Sequence, residues 1–260
     1  MVSIICPTYN HAPFLRRTLD GFLAQSVNFD LEILVHDDAS DDATIEILSE
    51  YANDRPDIFR PFFRKQNLRN KGIALFEMYT RQLFPEAKGK YLAICEGDDY
   101  WTDPMKLQKQ IDFLEGNPDF SICFHHAAIQ QGDVIDNEGH HRNTGFALLE
   151  RDQFSLTDLL AGNFIQNCTV VYRNLHISYP VLFDNLLLPD WPLHLVHARY
   201  GKIKYLPDIM AVHRIHNKGL WNGLSSQEQA FHASMVLHRF MEYLDESYHP
   251  AILRTLSHYQ

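Results

Sequence analysis

Short apolar runs alternate with helix-spaced apolar stripes along the first part of the chain. That alternation predicts an α/β fold with a mostly parallel sheet and crossover helices. "VSIIC" (2–6) reads as a strand broken at Pro7, and "LEILVH" (31–36) as a second. Between them, "FLRRTLDGFLAQ" (14–25) sets Phe14, Leu15, Leu19, Phe22 and Leu23 on one helical stripe. "DDASDDATIEILSEYA" (37–52) supplies capping acids before a helix with Ile45, Leu48 and Ala52 inward. "IFRPFF" (58–63) reads as an edge strand, because Pro61 lacks a ladder donor. A helix over 72–84 and the strand "KYLAIC" (90–95) follow.

The texture then changes. "DPMKLQKQIDFLEGNP" (103–118) is a helix with Leu107, Ile111 and Leu114 inward, ended by Gly116 and Pro118. "FSICFHHAAIQQGDVID" (120–136) predicts a hairpin turning at Gly132-Asp133. "CTVVYR" (168–173) and "KIKYL" (202–206) read as strands around a helical segment at 190–200. In the tail, Leu237, Phe240, Met241 and Leu244 share a face that suits core packing better than a partner or a membrane. No repeat, low-complexity tract or linker interrupts the pattern, so residues 1–260 are expected to form a single domain.

Composition narrows the function. The 260 residues, 45% apolar and 22% charged, suit a globular chain with a sizeable core. Twenty-three basic against 33 acidic side chains give a net charge of −10, which argues against a nucleic-acid partner. The cysteines Cys6, Cys95, Cys123 and Cys168 form no CxxC pair and read as reduced core residues of a cytoplasmic protein. No apolar run approaches the ~20 residues that span a bilayer, and "MVSIICPTYN" lacks a basic region before its apolar residues. The chain is expected to be soluble, or at most peripheral at the inner face of the plasma membrane.

Three polar clusters fall at predicted strand ends, where open α/β sheets bind ligands: Thr8-Tyr9-Asn10, Asp37-Asp38 and Glu96-Gly97-Asp98-Asp99. The carboxylates at 96–99 exceed what a helix cap needs, Asp103 being available for that. A few oxygen ligands suit Mg2+ or Mn2+, which complete their shells with water and substrate phosphates. For Asp37 and Asp38 two readings stand: caps shared with Ser40, Asp41 and Asp42, or a carboxylate that accepts a base N–H while Tyr9 stacks on the ring. Asp190 opens a helix, whose N-terminal dipole would hold it ionised as a base for a hydroxyl; simple capping is the alternative. Arg69 and Lys71 precede a glycine that opens a helix and suit phosphate. The spacings His213-x-x-His216 and His194-x-x-His197 are weak zinc signals without a HExxH-type carboxylate. His194 and His197 read as satisfied helix histidines, and His125, His126, His140 and His141 as exposed or structural. Trp101 and Trp221 suit sugar stacking, Trp101 equally packing beneath the acid loop.

"VSIICPTYNHAPFLRRTLDGFLAQS", "EILVHDDASDDAT" and "KGKYLAICEGDDYWTDPMKLQKQIDFL" resemble the nucleotide-binding half of the family 2 glycosyltransferases with the GT-A fold. "LPDWPLHLVHARYGKIKYLPDIMAVHRIHNKGLW" resembles their acceptor half. The resemblance covers about residues 2–222. It implies a nucleotide-sugar-binding half at 1–118, an acceptor half at 119–222 with a smaller mixed sheet, and a helical extension at 223–260. It further implies that Tyr9 packs on the base, with Pro7 and Thr8 shaping the loop, and that Asp38 bonds a uracil-like N–H. Asp99 would be the metal ligand, Asp98 its neighbour or the ribose partner, and His216 the late histidine that completes the site. Asp190 would be the base, with Pro189 where the family has Glu. Arg214 would face the leaving diphosphate. Glu96 stands where many members have Asp, and its longer arm leaves its role open.

The expected activity is therefore an inverting, Mn2+- or Mg2+-dependent transfer from a nucleotide diphosphate sugar, of the UDP type, to a saccharide or lipid-linked saccharide in envelope glycan biosynthesis. A sugar nucleotidyltransferase is the rival enzyme, but "CPTYNHAPF" lacks its Gly-rich basic loop. A non-catalytic nucleotide or glycan-binding module would need neither Asp99 nor Asp190.

Overall fold

The structure, a computed structural model, describes residues 1–68, 74–139, 151–217, 219–221 and 223–259. Its strands are β1 (Val2–Thr8), β2 (Leu31–Asp37), β3 (Phe59–Phe63), β4 (Tyr91–Ile94), β5 (Tyr100–Trp101), β6 (Phe120–Gln131), β7 (Val134–Asp136), β8 (Gln153–Phe154), β9 (Val171–Arg173) and β10 (Lys202–Ile215). The helices are α1 (Ala12–Leu23), α2 (Thr44–Asp54), α3 (Leu75–Glu77), α4 (Lys106–Gly116), α5 (Leu156–Leu160), α6 (Asp190–Ala198), α7 (Ser226–Tyr243) and α8 (His249–Leu256). Among the described residues the strands form one sheet, ordered β3-β2-β1-β4-β9-β6-β10-β5, with β7 on β6 and β8 on β10.

The first four strands are parallel, as the alternating pattern predicts. β1 does not break at Pro7 but runs to Thr8, pairing Pro7 with His36. By that point β4 has ended, and the Gly97 N–H reaches back to the Pro7 carbonyl at 3.0 Å. The missing proline N–H thus falls where no strand carbonyl waits for it. β9 is antiparallel to both β4 and β6, which makes the sheet mixed from there on.

Each face carries its own core. Ile4, Cys6, Ile33 and Val35 pack with Leu15, Leu19 and Phe22 of α1 and with Leu107, Ile111 and Leu114 of α4. Ile5, Leu34, Leu92 and Ile94 point the other way, into a core that takes Leu195 and Val196 of α6 and Leu237 and Phe240 of α7. Phe240 stacks on Phe183, ring centroids 4.7 Å apart, so the apolar stripe of the tail is core.

Two elements differ from their predicted form. The helix expected over 72–84 is described from Leu75, and after one turn it widens into a π-helix over Met78–Leu83 and closes as a 3-10 turn at Phe84–Glu86. The strand expected to stop at Leu206 continues to Ile215. Register shifts between Leu206 and Ala211 absorb Pro207 and Asp208, which read as breakers in the sequence. This continuation lets β10 pair with β5 and carries His213 and Arg214 to the acid loop.

Candidate active site

Because β1 is parallel to β2 and β4, the turns that follow them, residues 8–11, 37–44 and 95–99, share one edge of the sheet. The first two turns are laced together. Asn10, at φ 55°, donates its N–H to Ser40 Oγ and accepts the Asp41 N–H on Oδ1. His11 N–H donates to Thr44 Oγ1 at 3.0 Å and Ala12 N–H to Asp42 Oδ2 at 3.2 Å. Asp42, expected to cap α2, does so by accepting the Thr44 N–H at 2.9 Å and also serves an open N–H at the start of α1. Asp37 closes its own turn, accepting the Ser40 N–H at 3.1 Å and hydroxyl at 2.5 Å. Asp38 accepts the Leu68 N–H at 2.7 Å, and Tyr9 beside it leaves 44% of its surface open.

The acid loop is clamped against β1 and α1. Thr18 Oγ1 lies 3.0 Å from the Gly97 carbonyl and 2.5 Å from that of Asp99. A Cβ on Gly97 would stand 2.7 Å from Thr8 Oγ1 and 3.0 Å from His11 Nδ1, so only glycine permits this approach. Among the described residues neither Thr8 Oγ1 nor His11 Nδ1 has a hydrogen-bond partner, and both atoms are buried.

The three carboxyls of the loop have separate surroundings. Glu96 Oε1 accepts the Tyr79 hydroxyl at 3.0 Å and the Asn167 amide at 2.5 Å. Burial, then the charges of Asp99 and Asp98, push its pKa up to about 8, so it carries a proton at neutral pH. Asp98 sits among imidazoles, with Oδ2 2.9 Å from His216 Nε2 and 3.6 Å from His11 Nε2. Burial opposes its ionisation, but His11 and His216 outweigh burial and bring its pKa to about 2. Asp99, 3% exposed, accepts the Arg214 N–H at 2.8 Å and meets His213 Nδ1 at 3.1 Å. Burial disfavours charge on His213, yet Asp99, by charge and hydrogen bond, and then Asp98 raise its pKa to about 9 and keep it an imidazolium.

Of the expected metal set, Asp99 meets His213 and the β10 backbone, and Asp98 faces His216. Arg214, expected at the leaving diphosphate, donates from Nη1 to the Asp98 carbonyl at 2.5 Å, and its guanidinium lies over Tyr100 at 4.2 Å. Trp101 is buried, with Lys106 Nζ 4.2 Å above its ring and its Nε1–H donated to the Cys168 carbonyl, whereas Trp221 is 42% exposed. Arg69, Lys71, His140 and His141 lie outside the described residues.

Asp190 is the first residue of α6, after Pro189. The sequence predicts that the helix dipole holds it ionised. Burial wins instead and raises its pKa above the ordinary carboxylate value, against the Trp191 and Asp190 N–H groups, the His213 charge and the Asn163 amide. A carboxyl shifted in that direction makes a better base near neutral pH. Asn163 Nδ2 donates to Asp190 Oδ2 at 2.8 Å. Deeper in the helix, His194 and His197 bond to the hydroxyls of Tyr172 and Tyr179, and burial holds both at about 3, neutral and structural. His125 and His126 are likewise buried, on β6.

The sequence does not single out His11, Tyr79, Asn163 or Asn167, and it notes His213 only for its spacing. The asparagines lie in a loop with no periodic signal. Tyr79 is hidden in what reads as an ordinary helix, although π-helical turns often mark functional sites.

A family model described as Glycosyl transferase family 2 matches residues 3–177. An uncharacterized protein of Mycobacterium tuberculosis is 40% identical over 230 residues, 88% of this chain and 63% of the relative. The chain thus spans less than two thirds of that curated relative's length. Among solved structures, S. aureus TarS (residues 1–349, with UDP) superposes with a TM-score of 0.69 at 16% identity, covering 98% of this chain and 70% of that one. Mannosyltransferase PcManGT from Pyrobaculum calidifontis, with GDP-Man and Mn2+, gives 0.67 at 18%, covering 98% and 68%. The fold is that of the GT-A glycosyltransferases.

Proposed function

The chain belongs to glycosyltransferase family 2, and we propose that it moves a sugar, with inversion, from a nucleoside diphosphate sugar to an acceptor hydroxyl in polysaccharide biosynthesis. The observation that carries this reading is the pairing of Asp98 with His216, 2.9 Å apart, at the ligand-binding edge of the parallel strands. The base pocket is assigned to Pro7, Thr8, Tyr9 and Asp38, and a UDP-type donor is favoured because a carboxylate complements a ring N–H. The chain works as one domain, donor half 1–118, acceptor half 119–222 and helical extension 223–260. A saccharide or lipid-linked saccharide is the acceptor.

The donor set suits Mn2+ or Mg2+: a half-buried carboxylate and an imidazole, all four cysteines being buried away as free thiols. Among the described residues no group of three or more His, Cys, Asp and Glu is arranged to hold a metal, so Asp98 and His216 would be the protein's share, the rest coming from diphosphate and water. A bound ion would supply charge neutralisation on the departing diphosphate. Asp190 takes the acceptor's proton as the hydroxyl oxygen bonds to the anomeric carbon. The bond from that carbon to the diphosphate oxygen breaks, and its electron pair leaves with the nucleoside diphosphate. Among the described residues no helix is long and apolar enough to cross a membrane.

The test is a panel of UDP- and GDP-sugars with Mn2+, scored first by thermal stabilisation and then by nucleoside diphosphate release. Asp190→Asn should lose about 10³-fold or more in turnover with donor binding unchanged. Full turnover in that variant, or no stabilisation by any donor, overturns the reading.

A further inference from the structure

We propose that Asn163 is a positioning residue of the transfer: its amide holds Oδ2 of Asp190, fixing the carboxylate plane so that one defined oxygen meets the acceptor hydroxyl. This rests on the assignment of Asp190 as base. The Asn163 Nδ2 to Asp190 Oδ2 distance is 2.8 Å, and Asn163 Oδ1 accepts the Ile165 N–H at 3.2 Å. The second bond settles which end of the amide faces Asp190: the oxygen is occupied by its own loop, so the NH2 group points at the carboxylate.

The loop that carries Asn163 is itself anchored. α5, just before it, starts with a capping box between Ser155 and Asp158, and its Leu159 carbonyl accepts the Trp191 indole N–H at 2.9 Å. Trp191 follows Asp190 directly, so the donor of the amide bond and its acceptor sit on elements already pinned to each other. Four residues on, Asn167 donates to Glu96 in the acid loop. One short segment therefore grips a carboxyl on each side of the site, Asp190 through Asn163 and Glu96 through Asn167. A rigid strap between base and acid loop sets where an acceptor oxygen must lie, and misplacing a reacting group by about 1 Å can cost about 10²-fold.

The groups facing Asp190 from its surroundings are few. His213 on β10 brings positive charge, and the Trp191 N–H lies at the start of the same helix. Tyr172 on β9 is kept neutral by burial, as is His194 one turn along α6. Among the described residues Asn163 is the one neutral side chain bonded to the carboxylate, and as a donor it favours the ionised form. Its removal should move the Asp190 titration upward.

The experiment reads that titration directly, by the 13C resonance of the Asp190 carboxyl across pH in the full chain, for wild type, Asn163→Ala and Asn163→Ser. Nucleoside diphosphate release from UDP-glucose, UDP-N-acetylglucosamine and GDP-mannose, with Mn2+ and water as acceptor, gives kcat and KM in parallel. Asn163→Ala should raise the Asp190 midpoint, shift the acid limb of the rate profile the same way, and lower kcat about 10- to 100-fold at unchanged donor KM. Asn163→Ser, which keeps a donor, should recover part of both. An Asp190 midpoint that does not move in Asn163→Ala, with wild-type kcat, overturns the proposal. Asp190→Asn is run alongside. If it keeps full turnover the base assignment falls, whereas its loss together with an unmoved midpoint in Asn163→Ala defeats the positioning role alone.

Discussion

Glu96 and Asp98 are two residues apart in one loop, yet one is pushed up to about 8 and the other brought down to about 2. The inner side of the loop offers Glu96 two neutral donors, Tyr79 and Asn167, and, among the described residues, no ion pair. The outer side offers Asp98 two imidazoles. The difference teaches that the carboxyls do not form one acidic patch. The inner group is a protonated framework element that anchors the loop, and the outer one is the charge available to a ligand. Asp99 belongs with neither, because its charge is met by the His213 imidazolium and the Arg214 N–H.

The largest expected effect is on the outer side. Asp98→Asn keeps the shape of the side chain but removes the charge that faces His216, and turnover should fall about 10²- to 10³-fold, as when one stabiliser of developing charge is removed. Thermal stabilisation by Mn2+ alone should disappear in the same variant. An Asp98→Asn protein with wild-type turnover and a wild-type response to Mn2+ would dissolve the contrast from the outer side.

Next in size is Gly97→Ala, at the residue that separates the two. The new Cβ would meet the side chains of Thr8 and His11 within 2.7 to 3.0 Å, and the loop must lift off β1 to relieve it. Overpacking of this kind costs about 1–3 kcal/mol. Denaturant unfolding should show it as a lower midpoint at unchanged m-value. Because Gly97 also fixes the neighbouring Asp98, donor binding should weaken along with stability. A variant as stable as wild type would mean that the loop is not held by its approach to β1.

How far this site was legible follows from which residues carry a local signal. The edge of the sheet was, because β1, β2 and β4 each end in a polar cluster and parallel strands align their ends. The α1 stripe of Leu15, Leu19 and Phe22, buried throughout, was legible for the same reason of period. The second half of β10 was not, since Pro207 and Asp208 mimic a strand end and only long-range pairing to β6 and β5 overrides them. That one misreading hid the location of His213 and Arg214, and with it the reason Asp99 turns inward. Asn163 and Asn167 lack any periodic signal, for an amide in a loop shows its partner only when the chain is folded. The sign of the Asp190 shift depends on burial against the helix dipole, and burial is a property of the packed state.

The smallest expected effect is the sharpest test of the comparison. If Glu96 carries a proton at neutral pH, Glu96→Gln replaces a neutral acid with a neutral amide of the same shape, and the Gln oxygen can still accept from Tyr79 and Asn167. The change should cost less than about 1 kcal/mol below pH 4.5, where the acid is protonated folded and unfolded alike and neither buried donor loses its acceptor. The pH dependence carries the sign. Unfolded Glu96 ionises near its ordinary value of 4.5, whereas the folded group keeps its proton until about 8. Between those values the native state binds the extra proton, so wild-type stability falls as pH rises through the window. Glu96→Gln has no proton to lose there, and its stability should gain on that of wild type from pH 4.5 to about 8 and run parallel above it. Unfolding curves at a series of pH values compare the two. A variant that loses turnover as steeply as Asp98→Asn, with no pH dependence in its stability difference from wild type, would place charge on Glu96 and make inner and outer sides of the loop alike.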